Sequence, residues 1–459
     1  MTKPLFDNFD EVSTKQWKQK IQFDLKGADY NEALIFKSLE GIDIKPFYNQ
    51  DDLTNIDITQ LHPTSWKNAH RVLVNEAGEG NKKALDLIKK GVESIYFVIT
   101  NQNISLPTLF QNLPKEIPLF VQTEFLSSAY NKELNTIAKN DDLKIWVLTD
   151  IIGNLSQTGN WFKNLKEDHT NLELLTNESS HLKSIISIDC GLYQNAGATM
   201  VQQLAYGIAH INEYLNHFDT KEVNPFKNSP VVFKVAIGGN YFFEIAKLRA
   251  LRLLWNTLAA EYGIQKNCHI LAFPSYRNKT ILDYNVNMLR TTTECMSAIL
   301  GGADTIYNVP YDAIYNLDND FGTRISLNQL LILKNESYFG LVSNPASGAY
   351  YIESLTDQLA EKALSLFKNI EEGGGFLHQL KSGIIQKKIK ESADKEQELF
   401  DAEKIVLTGS NKYQNTEEVI PRFEKPPFPE KKARKTILAP IITRRLPQQI
   451  EQKTVKNLT

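Results

Sequence analysis

From residue 231 to 237 the chain runs through seven positions of which only Lys234 is charged and three are valine, and it then breaks at Gly238-Gly239-Asn240. Directly after the break, Phe242, Ile245, Leu248 and Leu251, joined by Phe243, Ala246, Leu253 and Leu254, recur at three- and four-residue spacing, while Lys247, Arg249 and Arg252 take other angles. The first pattern predicts a strand buried on both faces of a parallel sheet. The second predicts a helix with one apolar side laid on that sheet. Apolar runs of strand length recur at 94–100, 117–123, 143–150, 184–190, 231–237, 269–274, 304–309 and, weakly, 339–343, which makes eight. Helical periodicity fills the intervals at 131–139, 197–218, 282–300 and 324–334. Eight strands alternating with helices over roughly 250 residues predict an eight-stranded parallel β/α (TIM) barrel. An open doubly wound sheet has the same alternation, but no G-x-G-x-x-G follows the first strand to supply its usual dinucleotide signature.

The barrel is placed at residues 61–345, with three further segments around it. Residues 1–60 form an N-terminal arm, beginning with a short helix around Trp17, Ile21, Phe23 and Leu25 and continuing with alternating apolar and polar positions to Tyr48. Its Tyr30, Leu34, Ile35, Phe36, Ile42, Ile44 and Phe47 add more apolar surface than water tolerates, and the arm is expected to bind a partner chain rather than fold on this barrel alone. Residues 156–180 are expected as a helix and surface excursion inside the barrel. Residues 346–420 form a helical extension packed on the barrel, in which Leu359, Ala363, Leu364 and Phe367 share a face and Gly373-Gly374-Gly375 ends a helix. Residues 421–459, rich in proline and basic side chains, are expected as an extended tail.

Composition narrows the classes of function. The 459 residues carry a formal net charge of −3, which argues against nucleic acid as a partner. Cys190, Cys268 and Cys295 are odd in number and lack metal-ligand spacing, as expected of free thiols in a reducing cytoplasm. The N-terminus has no signal-peptide core and the chain has no apolar run of membrane-spanning length, so a cytoplasmic protein without membrane contact is expected.

A barrel's chemistry sits at the C-terminal ends of its strands. There Asp150 and Asp189 are the acid or base candidates, Asn240 follows the Gly-Gly break, and Arg277 with Lys279 suits a carboxylate or phosphate. Polar loop starts are common to every barrel, which weighs against any one of them. His210 and Glu213 have the i,i+3 spacing of helical metal ligands, but no second pair accompanies them and a surface contact explains them as well, so no metal is expected. Nucleophile-elbow, Walker A and H-E-x-x-H motifs are absent.

Several segments carry more. Residues 195–199 (NAGAT) with Gln203, Leu204 and Ala205, residues 244–250 (EIAKLRA) with Leu253-Leu254-Trp255, residues 344–353 (NPASGAYYIE), residues 40–48 (EGIDIKPFY) and residues 409–413 (GSNKY) together resemble methylmalonyl-CoA mutases, in order along about residues 15–415. The resemblance implies a barrel enzyme that interconverts succinyl-CoA and methylmalonyl-CoA through radicals generated from adenosylcobalamin. The departures matter equally. The D-x-H-x-x-G motif that ligates cobalt in catalytic chains does not occur here, and the catalytic G-Y-H-M-x-E-A-G-A segment is replaced by CGLYQNAGA at 190–198, with Leu192 in the place of the histidine. The T-I-Q-N-D and Y-I-F-P-P segments have no counterpart between Thr123 and Asp150.

These losses resemble the small (beta) subunit of a heterodimeric methylmalonyl-CoA mutase. That implies no catalytic residue in this chain, a large (alpha) subunit as partner, and adenosylcobalamin carried by that large subunit with none bound here alone. Substrate-side candidates at the barrel mouth are then Asp150, Asp189, Tyr193, Gln194, Asn240, Arg277 and Lys279. The alternative is the acyl-CoA-binding catalytic barrel of a split mutase that works with a separate cobalamin-domain protein. The barrel axis is expected to be too crowded for a CoA arm, through Ile117, Leu119, Ile145, Val147, Ile186, Ile188, Val232, Phe233 and Val235.

Overall fold

A computed structural model describes residues 10–53, 65–415, 417, 420–428 and 434–458. The arm contributes a short hairpin of β1 (Phe36–Lys37) and β2 (Asp43–Ile44). The barrel strands follow as β3 (Lys67–Val74), β4 (Ile95–Ile99), β5 (Leu119–Thr123), β6 (Ile145–Thr149), β7 (Ser184–Asp189), β8 (Val232–Ile237), β9 (His269–Pro274) and β10 (Thr305–Tyr307). All pair in parallel with their chain neighbours, and β10 returns to β3 with Ile306 opposite Asn68. The sheet therefore closes, which excludes the open doubly wound alternative and removes every exposed edge.

The strands are not the eight counted from the apolar pattern. Residues 339–343 form turns, and the first strand is β3, which the pattern passed over. In KNAHRVLV, Lys67 and Arg71 are exposed while Ala69, Val72 and Val74 are buried, so the strand has neither a solid apolar run nor a clean alternation.

Side chains alternate between the axis and the helices. On β4 the side chains of Ile95, Phe97 and Ile99 pack outward with Leu87 and Leu109, whereas Tyr96 and Val98 point inward. Crowding of the axis therefore has a different source from the one expected, for of the nine residues named only Val232 faces inward. Phe120, Trp146 and His269 form one tier, with ring centroids 4.6–5.7 Å apart. Above them Tyr307 stands 5.4 Å from Tyr96 and 5.0 Å from Phe273. Each such buried side chain is worth roughly 1.5–3 kcal/mol, and together the two tiers fill the barrel.

Helix Tyr350–Glu372 packs on helices Met200–Asp219 and Tyr241–Glu261. Arg249, fully buried, ties it down through Glu353 at 2.6 Å. Gly373 caps this helix, and Gly374 and Gly375 turn the chain with positive φ into the helix Phe376–Lys381. Glu40 of the arm accepts the N–H groups of Met200 and Val201 at 2.9 Å, capping the helix that starts there. The stretch expected to be an extended tail ends instead in the helix Gln448–Leu458. Among the described residues that helix packs through the apolar Ile450 and Val455, and a buried ion pair between Arg445 and Glu451 at 2.6 Å supplements them, which is why apolar content alone did not reveal it.

Candidate active site at the barrel mouth

Above the aromatic tiers, the C-terminal ends of β3 to β8 surround a cavity of about 570 Å³. Lys234, the lone charge of its apolar strand, points inward because Val232 and Ala236 do. Its ammonium donates to Asp189 at 2.8 Å and to Gln122 at 2.9 Å, and the Tyr96 hydroxyl donates to the same Gln122 oxygen. Register places Asp189 and Lys234 side by side on β7 and β8. Burial works to lower the pKa of Lys234, but Asp189 and Tyr96 outweigh it and hold the pKa above the ordinary lysine range. The group is a fixed cation and not a base.

Asp150 lines the cavity and is already occupied. It caps helix Ile151–Thr158 by accepting from Gly153 N–H at 2.7 Å. It also accepts from Asp189 N–H at 3.1 Å and the Tyr214 hydroxyl at 2.9 Å, and His210 Nε2 lies 2.9 Å away. Burial works to raise its pKa, yet His210 and the donated N–H groups bring it below the usual carboxylate range. A carboxylate with this many partners positions a helix and has little capacity for proton transfer at neutral pH.

The remaining candidates are dispersed. Tyr193 is buried behind Asp150, 2.9 Å from His210 Nδ1, with burial first and Cys190 next pushing its phenol pKa well up. Gln194 accepts from Lys247 at 3.2 Å, and Asn240 is exposed at the start of helix Tyr241–Glu261. Arg277 is bound to Glu396 at 2.5 Å and to the Arg444 carbonyl at 3.0 Å. Lys279 is bound to Glu294 at 2.7 Å, and burial lowers its pKa despite that partner. The mouth thus brings together Asp150 and Asp189 but neither Arg277 nor Lys279. His210 and Glu213 make no surface pair, since His210 is buried and Glu213 accepts from Leu377 N–H at 2.8 Å.

Sequence reasoning missed Lys234, Gln122 and Arg71. A single lysine inside an otherwise apolar strand was the available signal for the first. Leu192, at the position where the resemblance implies a histidine, does line the cavity. Among the described residues no histidine does, and the donors present at the mouth do not fit a cobalt ligand.

Comparison with known proteins follows this geometry. A family model described as methylmalonyl-CoA mutase matches residues 126–458. The methylmalonyl-CoA mutase small subunit of Porphyromonas gingivalis is 32% identical over 456 residues, covering 90% of this chain and 72% of that protein. The methylmalonyl-CoA mutase small subunit of Streptomyces virginiae is 26% identical over 415 residues, covering 83% and 67%. The methylmalonyl-CoA mutase of Rhizobium meliloti is 37% identical over 235 residues, so that this chain spans 33% of its length. Among solved structures, Yersinia pestis dihydropteroate synthase matches with 12% identity and a TM-score of 0.32 over 59% of this chain and 93% of that one, too low to carry an argument.

Proposed function

The chain belongs to the methylmalonyl-CoA mutase family, and from that premise we propose that it is a non-catalytic small subunit, pairing in the cytoplasm with a large subunit that carries adenosylcobalamin and isomerises succinyl-CoA and methylmalonyl-CoA. The observation that carries this reading is Leu192 facing the mouth cavity, where an acid-base or hydrogen-bonding side chain toward a thioester would stand. The filled axis supports it, because a pantetheine arm has no room between the Phe120–Trp146–His269 and Tyr96–Tyr307–Phe273 tiers. Adenosylcobalamin supplies radical chemistry where it is bound. The residues here offer a rigid barrel and a closed core that brace a neighbour.

The exposed half of the arm is the proposed contact. Glu40, Ile42 and Tyr48 dock on this barrel, but Trp17 is 50% exposed, Phe23 79% and Phe36 65%. A triple variant, Trp17→Ala, Phe23→Ala and Phe36→Ala, is expected to keep the melting temperature of the isolated chain and to lose assembly with the large subunit in sedimentation. Unchanged assembly would place the interface elsewhere. The alternative, a catalytic barrel of a split mutase, draws on the size of the mouth cavity and its Lys234–Asp189 pair. Turnover by this chain with a lone cobalamin-domain protein distinguishes it.

A further inference from the structure

We propose that Arg71 anchors a small organic carboxylate in the mouth cavity, giving this barrel a ligand site of its own. Arg71 lies two residues beyond the axis-facing Ala69 and opposite Tyr96 in register, while Val72 and Val74 face the helices. Alternation therefore lifts its guanidinium over the Tyr96–Tyr307 tier and into the cavity. Buried cations around this barrel are matched: Lys234 by Asp189, Arg252 by Asp304, Arg277 by Glu396 and Lys279 by Glu294. Arg71 has no ion pair or side-chain hydrogen bond among the described residues.

Tyr96 pairs with Arg71 in register and Tyr307 stands 5.4 Å from that ring, while Glu124 lines the same cavity from the exposed rim. Lys425, from the C-terminal segment, lines a separate cleft with Tyr276 and Arg277. Burial and then Arg71 lower its pKa, outweighing Asp312 and Asp318.

Charge and shape select the anion. The cavity is lined by Arg71, Lys234 and Arg434 against Glu124, Asp150 and Asp189, three charges of each sign. A carboxylate engages a guanidinium through two parallel hydrogen bonds. A phosphate, at about −1.5 to −2 near neutral pH, meets stronger repulsion from the three acids. The aromatic tiers close the axis beneath, so the rest of the ligand is short and lies along Gln122, Thr149 and Gln157.

Calorimetric titration of the full chain with acetate, propionate, succinate and inorganic phosphate, at constant ionic strength, tests this. At least one carboxylate should bind one-to-one and more tightly than phosphate. Arg71→Met should weaken it about tenfold or more, as expected for losing charge-assisted hydrogen bonds, and Arg71→Lys should fall between, keeping charge without the fork. Absence of carboxylate binding overturns the proposal, as does equal binding by Arg71→Met with unchanged circular dichroism. Tighter binding of phosphate than of every carboxylate overturns the ligand assignment. If Arg71→Met does not fold, Arg71→Gln decides: weakened carboxylate binding supports the site and unchanged binding refutes it.

Discussion

His70 sits beside Arg71 but on the opposite face of β3, and the two show how one strand position changes a residue's task. Burial holds the His70 imidazole pKa down to about 4, with Asp318 opposing and Lys83 and Arg71 reinforcing. An unfolded histidine titrates near 6.5. Between those values the unfolded state binds more protons than the folded one, so stability falls as pH drops through that window. The full loss is on the order of 3 kcal/mol. Urea denaturation at pH 7 and 4.5 should show a smaller acid loss for His70→Gln than for the parent, and equal losses would refute the assignment. At this scale the strand-end rule found Asp150 and Asp189 from sequence, yet it did not separate their tasks. Asp150's partners come from helix Met200–Asp219 and from β7, both remote in sequence. Arg71 stayed hidden because its strand did.

Elements were legible where burial is two-sided. β4 through β9 are apolar enough to announce themselves, and the helix Tyr241–Glu261 follows from its spacing. β3 escaped because its inward positions hold Ala69 and Arg71, and the turn at 339–343 was mistaken for a strand because Phe339, Leu341 and Val342 are apolar although Leu341 and Val342 are exposed. The helix Gln448–Leu458 escaped for the opposite reason. Arg445 reaches Glu451 at 2.6 Å, the Lys279 carbonyl at 3.0 Å and the Pro427 carbonyl at 3.1 Å, and Glu451 accepts from Ile281 N–H at 2.9 Å. Removing one partner of a buried pair costs about 3–5 kcal/mol, more than a short terminal helix resists. Arg445→Met should therefore release residues 434–458 to rapid amide exchange while β4 and β5 stay protected. Exchange unchanged in that segment would mean that apolar contacts suffice to hold it.

As a whole the molecule is a closed barrel with a filled axis, a mouth in which the prominent carboxylates are already bonded, and an arm half docked and half exposed. The family was legible from ordered motifs, and Leu192, where the resemblance implies a histidine, lines the mouth. The filling of the axis was anticipated, but through residues that face the helices, because strand register is invisible in a run that is apolar on both faces. A barrel of this kind can stabilise a partner's closed state without touching its chemistry. The most direct test reconstitutes the large subunit with the parent chain and with an Asp189→Asn, Lys234→Met variant of matched melting temperature, and measures mutase turnover per assembled complex. Turnover equal within error, with none from the isolated chain, is the predicted result; loss of turnover in a fully assembled variant complex would contradict the account and make this mouth a catalytic site.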